Sequence, residues 1–142
     1  MKYSKAAGII LAASLISGCA TGLNSMQERE YIAMKSDHVL VEEKNPTAGA
    51  VLGILPGGGS FYAREPGFGI VNLLFWPLSI LWDPISGYEG SKAINYDITK
   101  QKLKKEMKSE VSALDDKLTL GQINKVNYVI EKNKTEKKYD YE

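Results

Sequence analysis

The chain has little of what most binding and catalytic chemistry is built from. Cysteine and histidine occur once each in 142 residues, at Cys19 and His38. One cysteine cannot close an internal disulfide or supply a Cys-based zinc site, and a single histidine leaves the usual nitrogen and sulfur ligand sets incomplete. Charge of one sign is also scarce. Eighteen Lys+Arg against 17 Asp+Glu leave a formal net charge of +1, which gives no reason to expect a nucleic-acid partner. No apolar run reaches the roughly 20 residues that a membrane-spanning helix needs. The length allows one ordinary domain rather than two. At 44% apolar and 25% charged residues, the average resembles a soluble globular protein, but the residues are unevenly distributed.

Lys2 and Lys5 precede an apolar stretch over 6–16. Eleven helical residues span roughly 17 Å, too short for a hydrocarbon core of about 30 Å, so residues 1–18 read as a cleaved secretory signal. The signal ends Leu15-Ile16-Ser17-Gly18-Cys19. With an aliphatic residue at −3 and small residues at −2 and −1, this run resembles the lipobox of bacterial lipoproteins. The resemblance implies cleavage between Gly18 and Cys19, with a diacylglyceryl group and an N-acyl chain on Cys19 as the only covalent additions. It also implies membrane lipid as a partner, since more than one acyl chain makes attachment stable. Ala20 follows Cys19 where Asp would favour inner-membrane retention. The expected location is therefore the periplasmic face of the outer membrane in a Gram-negative cell, or otherwise the outer face of the plasma membrane. Removing Lys2 and Lys5 with the signal leaves 16 basic and 17 acidic residues, a formal charge of −1.

Residues 19–25 read as a lipidated tether. Ser25-Met26-Gln27-Glu28 fits a capping box, which predicts a helix over 26–36. The β-branched bias around 38–42 permits a short strand. His38, beside polar residues, reads as a surface side chain.

The middle of the chain is different. Within 46–90 only Arg64, Glu65, Asp83 and Glu89 are charged, and all three Phe and both Trp lie between 61 and 82. Two apolar segments, 47–55 and 67–82, flank a glycine-rich reversal through Pro56, Gly57, Gly58 and Gly59. As helices they would reach roughly 14 and 24 Å, short of a full span. Phe68, Phe75 and Trp82 recur every seven positions and would line one side of a helix, while Pro77 should divide that helix near Trp76. Gly49 and Gly53 form a small-xxx-small face where another helix could pack closely. Three readings of this hairpin stay open: a soluble core, a membrane-inserted or re-entrant hairpin, and a partner interface. Gly49, Gly53, Phe61, Phe68, Phe75, Trp76 and Trp82 are its candidate packing residues. The order of apolar segment, Gly-rich turn, Phe61-Tyr62, Arg64, Gly67-Phe68-Gly69 and second apolar segment is similar to bacterial two-segment membrane hairpin proteins, and implies a membrane-associated hairpin.

Residues 91–142 carry 12 Lys against 9 acids. Leu103, Met107, Val111, Leu114 and Leu118 form one apolar stripe on a helix over 100–118, with Thr99 placed to cap it. Gly121 suits the left-handed position after a helix end, and Asn124 can cap a second helix over 125–133 with Val126, Val129 and Ile130 on one face. Residues 134–142 read as a charged tail. Gly121, Ile123 and Tyr128 resemble the short C-terminal (SHOCT-type) domain of bacterial proteins. That resemblance implies docking or self-association through 100–130, with Ile123 and Tyr128 joining the stripe.

Catalytic motifs are missing. Gly53 to Ser60 mimics a phosphate-binding loop, but Gly59 stands where its lysine belongs. Asp83 and Glu89 could pair as carboxylates near Arg64, although Asp83-Pro84 reads as a turn start. Lys100, Lys102, Lys104, Lys105 and Lys108 read as a solvated helix face, or as a weak contact for anionic headgroups. The expected protein is mainly α. It has a lipidated tether (19–25), an N-terminal helix with the apolar hairpin (26–90) and an amphipathic helix-turn-helix pair (91–133), with at most a short strand near 38–42. Its expected role is a non-enzymatic, lipid-anchored structural or interaction protein of a bacterial envelope, with no cofactor, metal or small-molecule substrate. The alternatives are a membrane-active module whose 46–82 hairpin inserts into the bilayer and, third, an envelope hydrolase.

Overall fold

The computed structural model describes residues 22–141. The expected signal, cleavage position at Gly18 and lipid anchor at Cys19 lie outside the described residues. The protein is mainly helical, with α1 (Ser25–Ser36), α2 (Pro46–Leu52), α3 (Gly58–Tyr62), α4 (Pro66–Leu74), a 3₁₀ helix (Leu78–Leu81), α5 (Asp83–Thr119) and α6 (Lys125–Lys138). Among the described residues there is no strand, and 38–42 is irregular.

Two units divide the chain. The glycine-rich unit holds Glu42–Asn95 and the segment ending at Asn24. The helical-pair unit holds Ser25–Val41 and Tyr96–Glu142. This partition differs from the expected boundaries, because α1 groups with the C-terminal helices rather than with the hairpin. Helix α5 runs unbroken through the change of unit, with 83–95 in one and 96–119 in the other.

In the glycine-rich unit, Pro46 opens α2 at its first position, where a missing N–H costs nothing, and the Asn45 side chain accepts from the Ala48 amide at 3.0 Å. The Lys44 amide donates to Asn95 Oδ1 (2.8 Å), and Asn95 Nδ2 returns a bond to the Lys44 carbonyl (2.7 Å). The second apolar segment is not one helix. It breaks after Leu74, and Trp76-Pro77 is a cis peptide. Phe68, Phe75 and Trp82 therefore do not share a helical face. Helix α5 starts at Asp83-Pro84, again with proline in the first turn, so that dipeptide begins a helix rather than a free turn.

In the helical-pair unit, Thr99 is not a cap. It is fully buried inside α5, and its Oγ1 accepts from the Val41 amide at 2.9 Å. The end of α5 has the expected geometry. Gly121 has φ 71°, the Gln122 amide donates to the Lys117 carbonyl (2.9 Å), and the Gly121 amide donates to Leu118 (3.1 Å). Asn124 caps α6 through the Asn127 amide at 2.8 Å. Helix α6 continues to Lys138 rather than stopping near 133. Lys138 Nζ and Tyr139 OH both donate to Glu110 Oε1, at 2.7 and 2.8 Å, which holds the expected tail against α5.

Candidate functional site

The glycine-rich unit carries the most unusual arrangement in the molecule. Its buried side chains are small and polar: Ser60, Asn72, Ser79, Asp83, Ser86, Ser91 and Asn95 are at most 2% exposed, with Lys92 at 8%. Ala63 is the one buried apolar side chain described in this unit, and the other buried positions are glycines. The large apolar residues face outward, with Leu74 76% exposed, Leu81 75%, Leu78 61% and Trp76 50%. A water-soluble domain ordinarily shows the reverse, because burial of apolar surface is its main driving force.

Local sequence explains how the interior closes. Helix α3 begins after Gly57, whose φ of 69° suits glycine, and Gly57 has no side chain to cap the helix. Asp83 does so from a distance. Its Oδ2 accepts from the Gly59 amide (3.1 Å), and its Oδ1 accepts from the Ser60 amide (3.0 Å), Ser60 Oγ (2.5 Å) and Asn72 Nδ2 (2.8 Å). Asn72 Nδ2 also donates to Ser60 Oγ (2.9 Å), and Asn72 Oδ1 accepts from Trp82 Nε1 (2.8 Å). Four donors thus occupy one buried carboxyl group, as the cost of leaving buried polar groups unpaired requires. Among the described residues, only the Ser79 and Ser86 hydroxyls are buried side-chain atoms without a partner.

Glycines let the backbones approach. A Cβ on Gly49 would stand 2.3 Å from the Gly87 carbonyl oxygen, and one on Gly87 would stand 2.2 Å from that of Gly49. A Cβ on Gly53 would meet Pro84 at 2.4 Å. The Gly49/Gly53 face of α2 therefore lies against the first turns of α5. The remaining candidates of the hairpin divide: Phe61 is 44% exposed and Phe75 46%, whereas Phe68 and Trp82 are half-buried.

The residues considered for catalysis have separate partners. Asp83 belongs to the buried network, Glu89 pairs with Lys92 at 3.5 Å, and Arg64 pairs with Glu43. Among the described residues no three His, Cys, Asp or Glu side chains are placed to hold a metal ion. No described helix is both long and apolar enough to cross a membrane.

In the helical-pair unit the stripe on α5 faces inward. Leu103 and Leu114 are buried, with Tyr31, Met34 and Tyr96 as the other buried apolar residues, and Met107, Val111, Leu118, Ile123 and Tyr128 are half-buried. Tyr128 OH donates to Asp115 Oδ1 at 2.7 Å. Exposed apolar residues of this unit include Leu120, Val126, Val129 and Ile130, at and after the α5–α6 turn, and Met26 and Ile32 on α1. Glu30 is buried, and accepts from Tyr96 OH (2.7 Å) and Lys100 Nζ (2.8 Å). Burial pushes its carboxyl up, but the bonds from Lys100 and Tyr96, with the Lys100 charge, outweigh this and hold it below the ordinary value.

Asn72 and Ser79 read in the sequence only as interruptions of the second apolar segment, Ser60 only as the end of a phosphate-loop mimic, and Ser86 and Ser91 carry no motif. The available signal was their common type: small hydrogen-bonding residues scattered through the most apolar part of the chain. No family model, curated protein or solved structure matches this chain.

Proposed function

We propose that the protein is a lipid-anchored, non-enzymatic component of a bacterial envelope with a structural or interaction role. One observation carries the reading: the glycine-rich unit spends most of its buried polar groups on one another and offers a largely apolar exterior. Such a unit is organised for contact with an apolar medium or partner. Asp83, the buried carboxyl group with most chemical promise, is taken up by four internal donors. The acyl chains belong on Cys19. The location that follows from Ala20 is the periplasmic face of an outer membrane, or the outer face of the plasma membrane where there is no outer membrane. A protein partner, or a second copy, belongs to 100–130, where Leu120, Val126, Val129 and Ile130 are exposed.

Metabolic labelling with palmitate tests the anchor. Wild type should take up label and fractionate with membranes, and Cys19→Ala should lose the label. Equal labelling of the two would sink the anchor.

A further inference from the structure

We infer that the apolar shell of the glycine-rich unit is itself a membrane-seating surface, entering one leaflet of the bilayer without crossing it and driven by apolar burial rather than charge. The inference rests on the envelope reading for the choice of membrane, and on the geometry of this unit for everything else.

Four observations carry it. First, the unit is inverted, with Ser60, Asn72, Ser79 and Asp83 inside and Leu74, Leu78, Leu81 and Trp76 outside. In lipid the outer residues lose nothing, and polar groups must be satisfied internally. Secondly, much of that satisfaction is present: Asp83 serves the start of α3 and Asn45 serves α2, while α4 starts at Pro66, which removes one N–H from an otherwise uncapped start, and among the described residues the Ser79 and Ser86 hydroxyls are the buried side-chain atoms left over. Thirdly, the helices are short. Helices α2 and α4 have 7 and 9 residues, or roughly 10 and 14 Å, against a hydrocarbon thickness of about 30 Å. They fit within one leaflet. Fourthly, the anchor lies close by. Gly22 sits against Glu89, where a Cβ would be 3.1 Å from the Glu89 Cβ, and Cys19 is three residues before Gly22. Three residues reach at most about 11 Å, so acyl chains on Cys19 would hold this unit at the leaflet surface.

Charge does not drive the seating. The described residues of the unit carry Lys44, Arg64 and Lys92 against Glu42, Glu43, Glu65, Asp83 and Glu89, a balance that anionic headgroups would not attract. Zwitterionic lipid should therefore serve as well as anionic lipid.

The test uses the full mature chain carrying Cys19→Ala, so that no acyl chain assists. On titration with phosphatidylcholine vesicles, its tryptophan emission should shift to the blue through the exposed Trp76, and Trp76→Phe should remove most of the shift. Brominated lipid confined to the outer leaflet should quench this emission, and the same lipid confined to the inner leaflet should not. The double variant Leu74→Glu/Leu81→Glu changes only exposed side chains and should lower partitioning at least about a hundredfold. Leu120→Glu, equally exposed but in the other unit, should leave it unchanged. An unshifted wild-type spectrum overturns the proposal. So does binding confined to anionic vesicles and abolished by salt, quenching from both leaflets, or a sedimentation shift showing that the double variant disrupts a dimer while vesicle binding stays intact. Palmitate labelling that depends on Cys19, combined with failure on vesicles, would leave the anchor standing and reject the seating surface alone.

Discussion

The two units solve the problem of a stable interior in opposite ways. In the helical-pair unit, Tyr31, Met34, Tyr96, Leu103 and Leu114 are buried, while Lys102, Lys104, Lys105, Lys108 and Lys117 of α5 are exposed. That interior gains from removing apolar surface from water. In the glycine-rich unit the interior is made of backbone, glycine and small polar Ser, Asn and Asp, most of them hydrogen-bonded, and most of the bulky residues lie outside. Its cohesion comes from close backbone approach and from polar groups that must remain paired. The difference teaches that one chain can contain two kinds of core. A mutation that is harmless in one should therefore be severe in the other.

Asp83→Ala should produce the largest effect. It removes the acceptor for the Gly59 and Ser60 amides, Ser60 Oγ and Asn72 Nδ2 at once. Leaving several buried donors unpaired should cost about 4 kcal/mol, confined to the glycine-rich unit. Hydrogen exchange resolved by segment would check this: amides in 46–82 should lose protection while those in 100–130 keep it. Uniform loss across both units would contradict the separation drawn here.

A matched pair of smaller changes sharpens the contrast. Adding one methyl at Gly87→Ala drives a Cβ to 2.2 Å from the Gly49 carbonyl oxygen, and backbone cannot yield as a side-chain tip can. The expected loss is about 2 kcal/mol. Removing methyls at Leu114→Ala, a buried position of the other unit, should cost about 3 kcal/mol through lost burial and the cavity left behind. The first unit is thus sensitive to added volume and the second to removed volume. Urea unfolding followed by the same segment-resolved exchange would read both.

The particular residues explain how much of this was legible beforehand. Signals confined to a few neighbours read correctly: Gly121 takes the left-handed position, Asn124 caps α6, and the chain divides near Pro77. Helix boundaries that depend on distant partners did not. Asp83-Pro84 is a local helix-start signal that also fits a turn, and Gly87 and Gly90 just beyond it lower helix propensity; the backbone of α2 packed on Gly87 compensates. The tail past 133 looks too charged to be ordered until Glu110 is seen to receive Lys138 and Tyr139. Thr99 looked like a cap because its partner, the Val41 amide, is 58 residues away. The inverted interior was the hardest feature to read. Periodicity identifies a face but not which face turns inward, and Ser60, Asn72 and Asp83 reveal their common direction only in three dimensions.

Acid should separate Glu30 from the rest of the helical-pair unit. Its folded carboxyl titrates below the ordinary value of 4.5. Its contribution is therefore fully present above that unfolded value and is lost as pH falls through the lower, folded one. Helix-monitored urea midpoints taken from about pH 7 to about pH 3 should fall for wild type over that window. Glu30→Gln should be less stable by about 1 kcal/mol at neutral pH, since it weakens the bonds from Tyr96 and Lys100, and should converge on wild type in acid. Parallel curves would remove Glu30 from the account.

The smallest effect should come from His38. It has φ 58°, a left-handed conformation that side chains disfavour, at the point where the Val39 amide closes back on the Met34 carbonyl at 3.0 Å. This is the helix-ending role that Gly121 fills at the other end of the same unit with φ 71°. Glycine at 38 relieves the Cβ strain but adds freedom to the unfolded chain, so the two terms partly cancel. A net gain of about 0.5 kcal/mol is expected for His38→Gly. The gain should appear as a higher urea midpoint with an unchanged slope, because only a local turn is relieved. A loss of stability instead would mean that the imidazole makes a contact worth more than the strain, and the lone histidine would then be more than a surface residue.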